Sequence, residues 1–184
     1  DKNHAWFQLE NGGASVFSFA GNCPLGDRPD YVFTAAGDIV SREAIAAVKI
    51  LNEDLPELKI RFVNIAALSY NAIGTTKNQL SSEDFEKYFG SHAAIISNFH
   101  GYPETLKNIL KNYADPIRIR AHGFMEQGST TTPFEMLSLN QASRFDLALE
   151  VVRDAGRTDL ITKYENLLKL NREHALELGT DLLI

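Results

Sequence analysis

Residues 31–54, YVFTAAGDIVSREAIAAVKILNED, place an apolar run directly before a helical pattern. The first six of these residues are mostly apolar or β-branched and end at Gly37, which is typical of a strand buried on both faces. Ser41 belongs to the residue types that cap helices, and we predict a helix from about Arg42 until Pro56 closes it. The apolar face of this helix carries Ile45, Val48, Leu51 and Leu55.

The same strand–helix unit recurs along the chain. We predict further strands over 59–65, 93–99 and 116–121. We also predict helices that start at Ser81, near Pro103, at Pro133 and near Ala142, and a last helix that is capped by Thr158. The alternating stretch Ala14–Phe19 can add an edge strand. Strand–helix alternation with apolar strands predicts a doubly wound α/β sheet that is covered by helices on both faces. We expect residues 1–28 to be a linker and residues 29–184 to form the domain.

The composition argues against several classes of protein. The net charge of −6, without adjacent lysines or arginines, argues against a nucleic-acid surface. No apolar stretch approaches the roughly 20 residues that a membrane span requires. The single cysteine, Cys23, suits a reducing compartment, so we expect a cytoplasmic protein. The chain starts at Asp1 without a signal-peptide pattern, and we expect it to be one domain of a longer protein.

Residues 126–136, EQGSTTTPFEM, read as a polar loop that leads into a helix. The spacing of Thr132, Pro133 and Glu135 predicts a capping box. The loop hydroxyls and the free N–H groups of the helix start can bind an anion, or they can hydrogen-bond the loop to itself or to a neighbouring domain. Arg144 fits either interpretation, as an anion partner or as a salt bridge to another element. The candidate anion contacts are therefore Ser129, Thr130, Thr131, Thr132 and Arg144.

Polar residues also follow the predicted strands at their carboxyl ends, where open α/β sheets bind ligands. These exits carry Gly37-Asp38, Asn64, His100-Gly101-Tyr102-Pro103 and the threonine loop, and they could converge on one rim. His100 and Tyr102 are the first choice for a contact at this rim, and His122 could face it as well.

No complete catalytic set accompanies these residues. The sequence contains neither G-x-G-x-x-G nor G-x-x-x-x-G-K-[ST], so it lacks both nucleotide fingerprints. No predicted helix offers a histidine pair at i and i+4 for a metal ion. Ser129 lacks the G-x-S-x-G elbow of a hydrolase nucleophile. We therefore expect no catalytic, cofactor-binding or metal-binding residue in this chain.

The order and spacing of several motifs resemble the C-terminal domain of phosphoketolases. The motifs are Ala36-Gly37-Asp38, residues 59–64, residues 80–85, His100-Gly101-Tyr102-Pro103, and residues 127–136 with Asn140 and Arg144-Phe145 behind them. The resemblance covers about residues 12–178, and the threonine segment is its most specific piece. It implies a transketolase C-terminal-domain-like fold, with a mostly parallel sheet and one antiparallel edge strand.

The resemblance also implies a function for the parent protein. Phosphoketolases use thiamine diphosphate and a divalent metal, Mg²⁺ or Ca²⁺. They cleave xylulose 5-phosphate or fructose 6-phosphate with inorganic phosphate to acetyl phosphate, an aldose phosphate and water. Two N-terminal domains of the same polypeptide bind the cofactor, and the enzyme is a homodimer or a higher homo-oligomer.

On this resemblance the chain would be an inactive fragment that binds no cofactor. It would contribute assembly contacts and one wall of the substrate channel. Two alternatives stay open: a regulatory α/β domain that binds an anion or effector, and a free-standing α/β protein of unrelated function.

Overall fold

The computed structural model of the protein describes residues 2–3, 13–68, 80–126 and 130–182. Five strands lie within these ranges: β1 (Ala14–Val16), β2 (Tyr31–Ala36), β3 (Ile60–Ile65), β4 (Ala94–Phe99) and β5 (Ile119–Gly123). The helices there are α1 (Asp38–Asp54), α2 (Ser82–Phe89), α3 (Pro103–Leu110), α4 (Pro133–Leu139), α5 (Arg144–Asp154) and α6 (Thr158–Leu178).

The strands form one sheet in the order β1-β3-β2-β4-β5. The pairs β2–β3, β2–β4 and β4–β5 are parallel, and β1 pairs with β3 in the antiparallel direction. This confirms the predicted fold class, a mostly parallel sheet with one antiparallel edge strand, and Ala14–Val16 is that strand.

Helices cover both faces of the sheet, as the apolar strands predicted. Successive side chains of a strand point to opposite faces. Phe33 therefore packs in one core with α1, α4, α5 and α6, and Val32 packs in a second core with α2 and α3. Both side chains are fully buried.

Some element boundaries differ from the predictions. The helix α1 begins at Asp38, and Ser41 donates its hydroxyl to the carbonyl of Gly37, so the predicted Ser41 cap is wrong. The helix α6 includes Thr158 and has no side-chain cap, so that cap is also wrong. Ser81 does cap α2, because its hydroxyl accepts from the N–H of Asp84 at 2.9 Å. Residues Pro116–Arg118 form a 3-10 turn, so the predicted fourth strand starts later, at Ile119.

A buried arginine fastens the N-terminal part of the chain to the sheet. Arg61 in β3 is only 1% exposed, and its guanidinium donates to backbone carbonyls on two separate segments. The distances are 3.2 Å to Cys23, 2.6 Å to Pro24, 2.6 Å to Asp27, 3.0 Å to Lys87 and 3.0 Å to Tyr88. The first three carbonyls lie in the segment that we predicted as a linker, and the last two lie at the end of α2.

A second arginine completes the C-terminal end of α2. Arg118 donates to the carbonyls of Phe89 at 3.3 Å, Gly90 at 2.7 Å and Ala93 at 2.9 Å. A helix end leaves its last carbonyls without intrahelical partners, and the two guanidinium groups satisfy them here. The described residues 13–28 thus pack on the sheet, while the boundary between linker and domain stays a prediction.

We predict that Arg61→Met lowers the free energy of unfolding by about 3 kcal/mol or more, because it leaves several buried carbonyls without donors. The matched control is Arg28→Met, an exposed arginine nearby, which should change stability by less than about 0.5 kcal/mol. Urea denaturation of both variants measures this. Equal stability of the two variants would contradict the role of Arg61.

Candidate functional site

A cleft of about 770 Å³ opens where the carboxyl end of the sheet meets α1, α4 and α5. This volume lies within the range that small-molecule sites occupy in proteins. The apolar part of its lining comes from α1, from the segment after β5 and from α4: Ile39, Phe124, Pro133, Phe134, Met136 and Leu137. Charged and hydroxyl groups complete the wall: Arg42, Glu43, Glu126, Thr131, Thr132, Arg144 and Asp181.

A bidentate ion pair joins two walls of this cleft. Glu43 of α1 is 5% exposed, and its carboxylate accepts from Arg144 Nη2 at 2.6 Å and Nε at 2.9 Å. The backbone N–H of Arg144 donates to the same carboxylate at 2.9 Å. The hydrogen bond to Glu43 raises the pKa of Arg144, although burial opposes this. The guanidinium also lies over the ring of Phe134, 5.6 Å from its centroid.

The helix α4 is capped by a carboxylate and not by the predicted threonine. Asp181, which follows α6, accepts from the hydroxyl of Thr132 and from the backbone N–H of Phe134 at 2.8 Å. The capping box predicted for Thr132 and Glu135 is therefore wrong. A charged carboxylate is a stronger acceptor than a hydroxyl, and the positive end of a helix favours it further. Glu135 is buried instead, with Arg172 at 3.6 Å.

The segment that carries Asp181 is itself fixed to α6. Asn171 donates to Asp181 at 3.2 Å, and the backbone N–H of Leu182 donates to Asn171 at 2.8 Å. Burial raises the pKa of Asp181, but the hydrogen bonds from Thr132 and Phe134 outweigh it and hold this pKa below its ordinary value. The end of the described chain thus forms part of the cleft wall.

Buried polar groups of β5 lie behind the cleft, on the side of α5. His122 is buried, with Nδ1 2.7 Å from the carbonyl of Gln141 and Nε2 3.4 Å from Glu150 Oε1. The prediction that His122 could face the rim is wrong, because both ring nitrogens face α5 and the turn before it. Nearby, burial raises the pKa of Asp146 to about 6, against the hydrogen bonds from Ser143 that lower it.

Comparison with known proteins places this architecture in a family. The chain matches the family model described as the XFP C-terminal domain over residues 3–182. The chain belongs to this family. It is 32% identical over 180 residues to the probable phosphoketolase of Pediococcus pentosaceus, which covers 95% of this chain and 23% of that protein.

Two other relatives agree with this match. The probable phosphoketolase of Bradyrhizobium diazoefficiens is 36% identical over 76% of this chain and 18% of that protein. The xylulose-5-phosphate phosphoketolase of Lactiplantibacillus pentosus is 30% identical over 96% of this chain and 24% of that protein. The chain therefore spans less than a quarter of the length of these curated relatives.

The predicted anion contacts of this XFP C-terminal domain come together only in part. Thr131, Thr132 and Arg144 line the cleft, and Thr130 is exposed beside it. Ser129 lies outside the described residues. Thr132 and Arg144 already donate to carboxylates of the same domain. Of the two interpretations of Arg144, the structure therefore supports the salt bridge to another element.

Of the predicted rim residues, His100 adjoins the cleft through Phe124. The ring of His100 meets the ring of Phe124 edge-on, with 5.3 Å between their centroids, and its Nδ1 is 3.5 Å from Asp38 Oδ1. Tyr102 is 71% exposed. Three of the predicted strand exits thus lie next to one another, namely Gly37-Asp38, the exit at His100 and the threonine loop. The fourth, Asn64, does not line the described cleft.

Sequence reasoning missed Glu43 and Asp181. Glu43 lies on the buried face of α1, next to Ala44 and one turn before Ala47. A glutamate on an apolar face requires a buried partner, so its position was a usable signal. Asp181 gave no such signal, because 47 residues separate it from Phe134.

In residues 13–68, 80–126 and 130–182, no three histidine, cysteine or acidic side chains are placed to hold a metal ion. Among the helices given above, none is both long enough and apolar enough to cross a membrane.

We predict that Asp181→Ala destabilises the domain by about 2 kcal/mol, because α4 loses its N-terminal cap. Asp181→Asn should lose less, since an amide oxygen still accepts from Phe134. Thermal or urea unfolding of both variants measures the effect. If Asp181→Ala were as stable as the parent chain, Asp181 would not be the cap.

A second prediction concerns pH. The folded pKa of Asp146, about 6, lies above its ordinary value of 3.8, so its contribution to stability is full below pH 4 and is lost as pH rises through 6. The variant Asp146→Asn lacks this titration. Relative to the parent chain, its free energy of unfolding should rise by about 2 kcal/mol between pH 4 and pH 7.

The measurement is urea denaturation of both proteins at several pH values in that range. Contributions from groups that do not interact with Asp146 cancel in the difference. A difference that does not change with pH would show that Asp146 titrates normally in the folded protein.

Proposed function

We propose that this chain is the C-terminal domain of a thiamine-diphosphate-dependent phosphoketolase. The parent enzyme would cleave xylulose 5-phosphate, fructose 6-phosphate or both with inorganic phosphate, giving acetyl phosphate and an aldose phosphate. The observation that carries the proposal is the 32% identity over 95% of the chain to a relative named as a probable phosphoketolase. The chain spans only 23% of that relative, so most of the machinery lies elsewhere.

We propose that this domain does not hold the cofactor. A metal ion that holds a diphosphate requires several carboxylate, amide or carbonyl oxygens, and no group of acidic and histidine side chains is placed for it in the described ranges. We therefore assign thiamine diphosphate and its metal to the other domains of the parent. We derive no step of the reaction through the cofactor from this chain.

Within the parent we propose a structural role, in assembly and in one wall of the substrate channel. The cleft supports this role, because its strongest hydrogen-bonding groups are already paired within the domain. The partners would be the two N-terminal domains and, in a homo-oligomer, a second copy. We propose a cytoplasmic location, which the single cysteine and the proposed metabolic substrates support.

The second candidate, a site for an anion or effector, has weaker support. Glu43 occupies the fork of Arg144, and Asp181 occupies the hydroxyl of Thr132. An entering phosphate would have to replace a carboxylate at each position. Calorimetric titration of the chain with phosphate and sugar phosphates tests this site, and we expect no heat of binding in the cleft at millimolar ligand.

We predict that the full-length parent forms acetyl phosphate from xylulose 5-phosphate and phosphate, and that this 184-residue chain alone does not. Acetyl phosphate, trapped as its hydroxamate, provides the readout. The parent without this domain is the third sample, and we expect it to lose activity or to dissociate. Turnover by the isolated chain would contradict the proposal.

A further inference from the structure

The strand order creates a crevice at one position of the sheet. The strand β2 lies in the middle, with β3 on one side and β4 on the other. After β2 the chain enters α1 on the Phe33 face, and after β4 it enters α3 on the Val32 face. The two connections leave in opposite directions, so a crevice opens between the carboxyl ends of β2 and β4. In open α/β sheets, ligands bind at such a point.

Glycines bring the two strand exits unusually close together. Gly37 follows β2 with a φ of 120°, and a Cβ there would lie 2.5 Å from the Cβ of His100. Gly101 follows His100 with a φ of 145°. Both backbone conformations favour glycine, which has no Cβ to clash. The backbone N–H of His100 also donates to Ala36 at 3.0 Å. The Cα of His100 is thereby fixed at the crevice.

The side chain of His100 is held although it is partly exposed. One side of it abuts Gly37, its ring packs edge-on against Phe124, and Nδ1 faces Asp38 at 3.5 Å. About 37% of the side chain stays accessible. A carboxylate can only accept, so Nδ1 carries the proton toward Asp38 and Nε2 is the ring atom left for another group.

Tyr102 places a second polar group at the same exit. It is the N-cap residue of α3, two positions after His100, and its side chain is 71% exposed. No described residue bonds its hydroxyl. A phenol can both donate and accept, and so can an imidazole nitrogen according to its tautomer. The two side chains therefore suit ligand groups that also do both.

The charges at the crevice distinguish between ligand classes. Asp38 is 84% exposed and negative, and the N–H at the start of α1, from Ile39, already donates to it at 2.7 Å. An anion would meet this charge and find that N–H occupied. Neutral hydroxyl groups have no such conflict. We propose that His100 and Tyr102 bind hydroxyl groups of a polyhydroxylated ligand, namely the sugar chain of the parent's sugar-phosphate substrate.

This inference rests on the proposed function, and steady-state kinetics of the full-length parent test it. Tyr102→Phe removes only an exposed hydroxyl, so it carries little risk to folding. His100→Asn keeps an N–H donor near Asp38 and removes Nε2, whereas His100→Gln returns an amide to the position of Nε2. The control is His92→Asn, the same change at an exposed histidine before β4, at the opposite edge of the sheet.

We expect Tyr102→Phe and His100→Asn each to raise the KM for xylulose 5-phosphate about three- to tenfold, which corresponds to one lost hydrogen bond. His100→Gln should recover part of the loss. The KM for inorganic phosphate should stay within twofold in all variants, and His92→Asn should behave as the parent does.

Three results would overturn the inference. The first is an unchanged KM for the sugar phosphate in both Tyr102→Phe and His100→Asn, while acetyl phosphate still forms. The second is an equal rise in the KM for inorganic phosphate, which would indicate an anion site. The third is a parent that forms no acetyl phosphate under any condition, and this result alone would reject the proposed function together with the inference.

Discussion

The buried ion pair between Glu43 and Arg144 is the interaction on which the arrangement of the helices depends. It joins α1 to α5 across 101 residues of sequence. Burying a carboxylate costs several kcal/mol unless the geometry of its partner is very good. Here the guanidinium fork and a backbone N–H meet the carboxylate together, and this provides that geometry. Breaking one partner of such a pair typically costs about 3–5 kcal/mol.

The ion pair also fixes the walls of the cleft. The helix α1 leaves β2 directly, so its position is set by the sheet. The ion pair holds α5 against α1, and the contact between the Arg144 guanidinium and the Phe134 ring holds α4 against α5. The cleft between these helices is therefore a packed feature with defined walls. Glu43, Arg144 and Asp181 are already paired within the domain, so these three are poor candidates for binding an external anion.

Much of the fold could be predicted from local patterns in the sequence. Apolar runs such as Tyr31–Ala36 fixed the existence of each parallel strand, because burial on both faces leaves few other interpretations. Helix ends were harder to predict, because Ser41 and Thr158 are residue types that cap helices but neither occupies the cap position. Local spacing predicts the cap of a helix correctly only when no residue distant in the sequence caps that helix instead. At α4 the carboxylate of Asp181, 47 residues from Phe134, takes the place of Thr132 as the cap.

In the candidate site, too, features set by neighbouring residues could be predicted, and features set by contacts between distant residues could not. Strand exits are local, so the rim residues His100 and Tyr102 could be found from the sequence. Which exits meet depends on strand order, and β3 lies on the far side of β2 from β4. Asn64, near the end of β3, pairs with Ala35 of β2 and does not line the cleft. The pairings of Glu43 and Asp181 depend on packing between helices, which no spacing in the sequence encodes.

The cleft and the crevice lie at the same edge of the sheet but differ in what they can do. Opening the cleft to an anion would require separating buried charges, and the energy for that must come from the ligand. At the crevice, backbone contacts fix the Cα of His100, and Phe124 and Asp38 hold its ring without burying a charge. A ligand there would lose little by ordering His100, because the ring is held before the ligand arrives. Phe124 belongs to both features, so the rigid cleft supports the ring of His100 from behind.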